Sequence, residues 1–198
     1  MEGTGAFIAL WWGGVEVVYD FATMDRQRFY YIGTGINDAV FGGGVSEYAG
    51  FVFGLPTDRN LAQSYRGNFS SISIGVGSDI YEQVVGVSAG VTGFISWTDP
   101  KILGIDWYVG GSLAFDLVPI FDVGIGMNLF FTPIGEATSY VRPDGTVDET
   151  SLLLDIALGT DSPWLIPLGD IGNFSRALGI ASAIHYVWIY EDMHSEIP

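Results

Sequence analysis

Between about residues 65 and 131 the chain repeats one pattern four times. A large apolar residue stands at every second position, with glycine, serine, alanine or aspartate between. The clearest copy sets Phe121, Val123, Ile125, Met127, Leu129 and Phe131 against Asp122, Gly124, Gly126 and Asn128. A period of two belongs to a β-strand with two unlike faces. A sheet turned toward water shows lysine, glutamate, threonine and arginine on its second face. Here that face is short and nearly uncharged. Such strands suit lipid on the bulky side and a crowded or wet interior on the small side.

Nine strands follow from this alternation, and ambiguous stretches near 36–46 and 162–168 allow eight to ten. The first covers 6–20, with Phe7, Trp11, Val15, Val17 and Tyr19 on one face and Glu16 and Asp20 on the other. Others cover 28–36, 45–54, 66–79, 82–97, 102–116 and 120–131. The last two cover 151–159 and 180–190. Thr98-Asp99-Pro100-Lys101 and Arg142-Pro143-Asp144-Gly145 are turn chemistry, because proline presets φ and aspartate caps its own backbone. Pro119 fits only a strand end. Residues 161–179 read as a loop with a short helical turn at 173–178. Consecutive hairpins make an antiparallel up-and-down meander. One this apolar is expected to close into a β-barrel, since an open sheet leaves sticky edges.

Composition narrows the class. The 198 residues make a single barrel domain, with a polar C-terminal tail from about residue 191. Apolar residues reach 48% and charged ones only 15%, which excludes a disordered chain. The 28 glycines are too frequent for apolar helices, and carboxylates interrupt every long apolar run. A formal charge of −16 leaves no basic footprint for nucleic acid. It suits an acidic rim or lumen that attracts cations. The absence of cysteine removes disulfides and thiolate chemistry. The start of the chain lacks a basic, then apolar, secretory signal, so an exported protein would have had its signal removed.

Glycine-interleaved apolar hairpins, short proline turns and longer acidic loops make the chain resemble the small outer-membrane β-barrel proteins of bacteria. The resemblance is one of pattern over most of the chain. The polar end from Glu191 to Pro198 departs from the terminal aromatic common in such barrels. The resemblance implies a bilayer partner and a bacterial outer-membrane location. Trp11, Trp97, Trp107, Trp188 and Tyr190 would then be aromatics at the membrane interfaces. The other environment is a secreted, soluble, lipocalin-like barrel around an apolar ligand. A third is a membrane-active pore-forming protein.

Glu16, Glu82, Asp106, Asp116, Asp122 and Asp155 fall on the small face, and His185 shares a face with Gly179, Ala181 and Ala183. In a membrane barrel these seven would face the lumen and meet small cations or a ligand. His194 and Ser195 with Glu191 are a weak basis for a hydrolase. Two histidines and scattered carboxylates form no metal-ligand set. The expectation is a non-enzymatic barrel without metal or cofactor: a narrow pore, a scaffold, or a carrier of small apolar molecules.

Overall fold

The computed structural model describes all residues except 9, 37–41, 82–84, 115–121, 159–169 and 196–198. Eight antiparallel strands close into a barrel. They are β1 (Glu2–Ile8), β2 (Trp11–Asp20), β3 (Asp25–Ile36), β4 (Gly42–Phe53), β5 (Phe69–Tyr81), β6 (Val85–Ser96), β7 (Leu103–Ala114) and β8 (Asp122–Ser139). A short helix α1 (Leu61–Ser64) lies between β4 and β5, and α2 (Glu149–Leu158) and α3 (Asp170–Ser195) follow the barrel.

Alternation fixes which residues can share a face, and the turns fix which strands meet. At the β6–β7 turn, Ser96 Oγ accepts from the Asp99 amide at 3.3 Å, and Asp99 accepts from Lys101 and Ile102. At the Arg142–Gly145 turn, the Gly145 amide donates to the Arg142 carbonyl at 2.9 Å. The predicted strand over 6–20 is two strands, with Ile8 paired to Trp11. A turn that tight leaves no polar gap, so the alternation runs through it unmarked. Pro119 lies outside the described residues.

The closed antiparallel barrel is as expected, but its strand order is not that of a nearest-neighbour meander. Around the barrel the order is β1-β2-β3-β8-β5-β6-β7-β4. In each half three strands run in sequence and the fourth returns beside the first: β4-β1-β2-β3, then β8-β5-β6-β7. These are two Greek keys. The halves also share a detail. The Tyr31 hydroxyl of β3 lies over the paired glycines Gly5 and Gly14. The Tyr108 hydroxyl of β7 lies over the paired glycines Gly75 and Gly90.

The strand faces are strongly divided. Ile72, Ile74 and Val76 of β5 point outward and are exposed, as do Val87, Val91 and Ile95 of β6, Leu103 and Ile105 of β7, and Ile125 and Met127 of β8. Ile8, Trp11, Tyr30, Val45 and Phe53 extend this wall over β1 to β4. The inward face carries glycine, serine and a minority of large aromatic and polar residues. Among them are Glu16, Phe29, Tyr31, Phe69 and Asp106, all buried.

The inward glycines are where the large rings fit. A Cβ on Gly33, Gly35 or Gly126 would meet the Trp12 ring, one on Gly3 the Tyr48 ring, and one on Gly104 the Phe94 ring. Eight strands leave an interior that side chains just fill. Full-sized residues at every inward position would overfill it. A Cβ on Gly75 would overlap the Tyr108 hydroxyl and stand 3.1 Å from the Ala89 carbonyl. Gly75→Ala should therefore destabilise the barrel by about 1–3 kcal/mol, the usual range for overpacking. Adding Tyr108→Phe should restore part of that loss. A double-mutant cycle by chemical denaturation checks this, and strict additivity would contradict it.

The C-terminal third departs from expectation. The strands predicted over 151–159 and 180–190 are helices α2 and α3, and the helical turn expected at 173–178 falls within α3. The buried residues Leu152 and Ile156, and Ala183 and Val187, recur at four-residue spacing. Leu152, Leu154, Ile156 and Leu158 fit a period of two, Leu152 and Ile156 also fit a helical one, and the alanine-containing, proline-free stretch 177–195 favours a helix. The tail expected from about 191 begins inside α3, which continues to Ser195. The two helices pack around Met24, Tyr140 and Val147 at one end of the barrel.

Candidate functional site

The barrel interior is organised around Glu16. Tyr65 donates its hydroxyl to Oε1 at 2.6 Å, and Tyr48 donates to Oε2 at 2.8 Å. β2 and β4 supply Glu16 and Tyr48, and the segment after α1 supplies Tyr65. That segment turns into the barrel mouth because Asn60 caps α1, its Oδ1 accepting from the Gln63 amide at 2.9 Å. Leu61 and Tyr65 are buried against Phe29 and Phe69. Ring centroids step from Phe29 to Tyr65 at 5.1 Å, Tyr65 to Phe69 at 5.2 Å, and Phe69 to Phe94 at 5.9 Å. This aromatic stack closes one end, here called the plug end. Burial, and then the Glu16 charge, hold the Tyr65 phenol well above its ordinary pKa.

Asp106 of β7 faces the same interior, hydrogen-bonded to Thr92 and within electrostatic reach of Glu16. Nearer the far end, Trp12 Nε1 donates to Asn128 Oδ1 at 2.7 Å. Of the seven lumen candidates, the structure brings Glu16 and Asp106 together inside the barrel. Asp122 lies in β8 opposite Gly75, with its side chain outside the description. Glu82 and Asp116 lie outside the described residues.

Asp155 and His185 are not in strands, so neither lines the lumen through a strand face. Asp155 sits on α2, where Oδ2 accepts from Arg26 at 2.8 Å and from Tyr140 at 2.6 Å. This ties the helical pair to β3 at the plug end. Burial, and then the bond to Asp155, raise the Tyr140 phenol above its ordinary pKa. His185 is exposed on α3, its ring 5.7 Å from that of Tyr186. A strand of period two placed it among Gly179, Ala181 and Ala183; a helix of period 3.6 turns it away from Ala183.

The proposed interface aromatics divide likewise. Trp11 is exposed on the wall at the far end. Trp97 is exposed at the plug end, with Nε1 donating to Ser70 Oγ at 2.6 Å. Trp107 is on the outer wall, 5.9 Å from Phe51. Trp188 and Tyr190 belong to α3, not to a closing strand. The residues that sequence reasoning missed are the inward rings. Tyr48 alternates with Ser46 and Gly50, and Tyr108 with Asp106 and Gly110, so a large ring on the small face was the signal.

Asp148 caps α2: its carbonyl accepts from Leu152 and its Oδ1 from the Ser151 amide at 3.3 Å. Those bonds, with Arg142 3.2 Å away, hold its carboxyl below the usual range. A depressed pKa gives stability that is present above the unfolded value and lost as pH falls through the folded one. Protection factors for amide exchange in the first turn of α2, taken relative to the unfolded chain at the same pH, should therefore fall on acidification below about pH 4. In an Asp148→Ala chain that protection should be low at every pH.

A carboxylate held between two phenols in a packed interior ties β2 to β4 and to the segment after α1. Among the described residues, no three His, Asp, Glu or Cys side chains converge as metal ligands. No helix among them is long and apolar enough to cross a membrane, which leaves crossing by strands open. No protein-family model matches this chain, and no curated protein matches it.

Proposed function

We propose that this protein is a membrane-embedded β-barrel that works as a closed scaffold, without enzymatic activity and without an open pore. The observation that carries this reading is the outer wall. Exposed aliphatic and aromatic side chains occur on all eight strands: Ile8, Trp11, Tyr30, Val45, Ile74, Val91, Ile105 and Ile125 are one from each. Ile125 is 64% exposed and Ile74 61%. A soluble monomer seldom shows water a continuous apolar surface of more than a few hundred Å². Acyl chains would cover such a wall on every side, as around a strand barrel in a bilayer.

The charged residues of the outward set are few. Glu2, Arg26, Arg28 and Glu47 lie on β1, β3 and β4; α3 packs on β4, Arg26 pairs with Asp155 of α2, and Glu2 lines the cleft beside α3. The compartment that fits is a bacterial outer membrane, on the resemblance in wall pattern. The Greek-key strand order sets the barrel apart from the nearest-neighbour meander of porin-like proteins, so the likeness extends to the wall and not to the connectivity.

Closure follows from the interior. The Phe29–Tyr65–Phe69–Phe94 stack and the Glu16 network fill the plug end. That favours a scaffold over a pore or a carrier. The test is twofold. The purified chain should pellet from detergent-free buffer at high centrifugal force and float with phosphatidylcholine vesicles. In planar bilayers it should give no stepwise conductance. A clear aqueous monomer would overturn the membrane reading, and ohmic steps from single chains would overturn closure.

A further inference from the structure

We infer that helix α3 lies in the interfacial layer of the bilayer at the plug end, so that its outward face is a second lipid contact beside the barrel wall. This rests on the membrane reading above. Along α3 the half-buried or buried residues Ile180, Ala183, Val187 and Tyr190 recur at helical spacing and face α2 and the barrel end. A neighbouring stripe, Ala177, Ala181, Ile184 and Trp188, recurs at the same spacing and is exposed. Trp188 is 66% exposed and Ile184 55%. Leu154 of α2 is exposed as well. The helix is thus apolar over a broad arc, of which the protein covers only part.

Continuity with the wall says what covers the rest. α3 packs on β4. The cleft between helix and barrel is lined by the outward rings Phe51 and Trp107 on the barrel, by Tyr19 and Phe21, and by Gly179 and Ser182 of α3. Tyr186 of α3 stacks on Phe21 at 5.4 Å, and Tyr19 stacks on Phe21 at 6.4 Å. Glu2 and Met1 also line this cleft; apart from the Glu2 carboxylate and the chain's amino terminus, its large side chains are apolar or aromatic. Phe53 and Trp97, exposed at the plug-end limits of β4 and β6, lie at the same end. Aromatic rings gather where hydrocarbon gives way to head groups. A helix with one apolar arc at that level lies along the interface plane. It is too polar to cross, with Glu191 and Asp192 exposed near its end. The exposed bases Arg59, Arg66, Lys101 and Arg142 lie at this end too, but the exposed acids Asp58, Glu136, Asp144, Glu149, Glu191 and Asp192 outnumber them, so the plug end offers anionic lipid no net positive charge. The surface it fits is therefore zwitterionic.

The chain has no cysteine, so single cysteines can carry nitroxide labels. Ile184→Cys and Trp188→Cys report on the helix, Ile74→Cys on the wall, and Arg59→Cys on an exposed polar loop. In phosphatidylcholine vesicles, collisions with oxygen should exceed those with a nickel chelate at 184 and 188. The ratio should fall between the values at 74 and 59. Trp188→Phe should also remove part of the fluorescence quenched by shallowly brominated phosphatidylcholine. Labels at 184 and 188 that match position 59, while 74 stays in lipid, would overturn this inference and leave the embedded barrel standing. A label at 74 that itself matches 59 would overturn both.

Discussion

Ile74→Arg should cost about 2–4 kcal/mol of stability in a phosphatidylcholine bilayer, the expense of a cation near the midplane of a barrel's lipid face. Ile74 sits midway along β5, paired with Val91 and Val123, and its side chain points away from the interior. The cost comes from solvent, not from packing, because an exposed side chain has few protein contacts to lose. Were the same wall wet, arginine there would change stability by no more than about 0.5 kcal/mol. Depth supplies a control. Ile134 is also exposed but stands in the plug-end half of β8, opposite Arg28. Ile134→Arg should cost only about 0–1 kcal/mol, as charges do near the interface. Reversible urea unfolding from vesicles, followed by tryptophan emission, gives both values.

Glu16→Ala should be more damaging still. It strips the acceptor from two buried hydroxyls, those of Tyr48 and Tyr65. Tyr65 keeps the Met1 sulfur at 3.6 Å and Tyr48 its bond to Tyr31; at about 1–3 kcal/mol for each donor that loses its carboxylate partner, a loss of up to about 6 kcal/mol is expected. Glu16→Gln keeps an acceptor oxygen and should lose less than half as much. Removing all the polar partners together is the sharper check. Glu16→Leu with Tyr31→Phe, Tyr48→Phe and Tyr65→Phe removes the two hydroxyls bonded to Glu16 together with the Tyr31 hydroxyl bonded to Tyr48. It should be more stable than Glu16→Ala, because the cost lies in the unpaired groups and not in the lost attraction. A Glu16→Ala chain within about 0.5 kcal/mol of the parent, ordinary for a surface change, would show that the network does not hold the plug end.

Much of the barrel was legible because period two survives any tertiary context. From residue 66 to 131 the alternation located β5, β6, β7 and most of β8, and correctly put the aliphatic set on one face. Strand order was not legible. The alternation of Ile72, Ile74 and Val76 is the same whether β5 borders β4 or β8, since every neighbour offers a similar face. The connections that carry the chain across are marked only by loops, and a loop's composition does not say where it lands. The helices were misread for a related reason. Leu152, Leu154 and Ile156 satisfy a period of two, while Leu152 and Ile156 alone satisfy a period near four, and only the burial of that pair decides.

The site was half legible. Glu16 and Asp106 stood out as carboxylates among small residues, and both are buried inside the barrel. Asp155 stood out in the same way and lies elsewhere, because its segment is helical and its partners Arg26 and Tyr140 are 129 and 15 residues away in sequence. The inward tyrosines were visible as rings on the glycine face. Their fit into glycine pairs on neighbouring strands depends on register, which sequence alone does not supply.

The central claim is that the aliphatic side of these strands is solvated by acyl chains. A nitroxide scan along β5 tests it most directly, with single cysteines at positions 71 to 76 of the chain in phosphatidylcholine vesicles. Oxygen collisions should rise at 72, 74 and 76 and fall at 71, 73 and 75, with the nickel chelate low at all three outward sites. A period of two in the nickel-chelate signal instead, high at 72, 74 and 76, would mean that water covers the wall and that the barrel does not live in lipid.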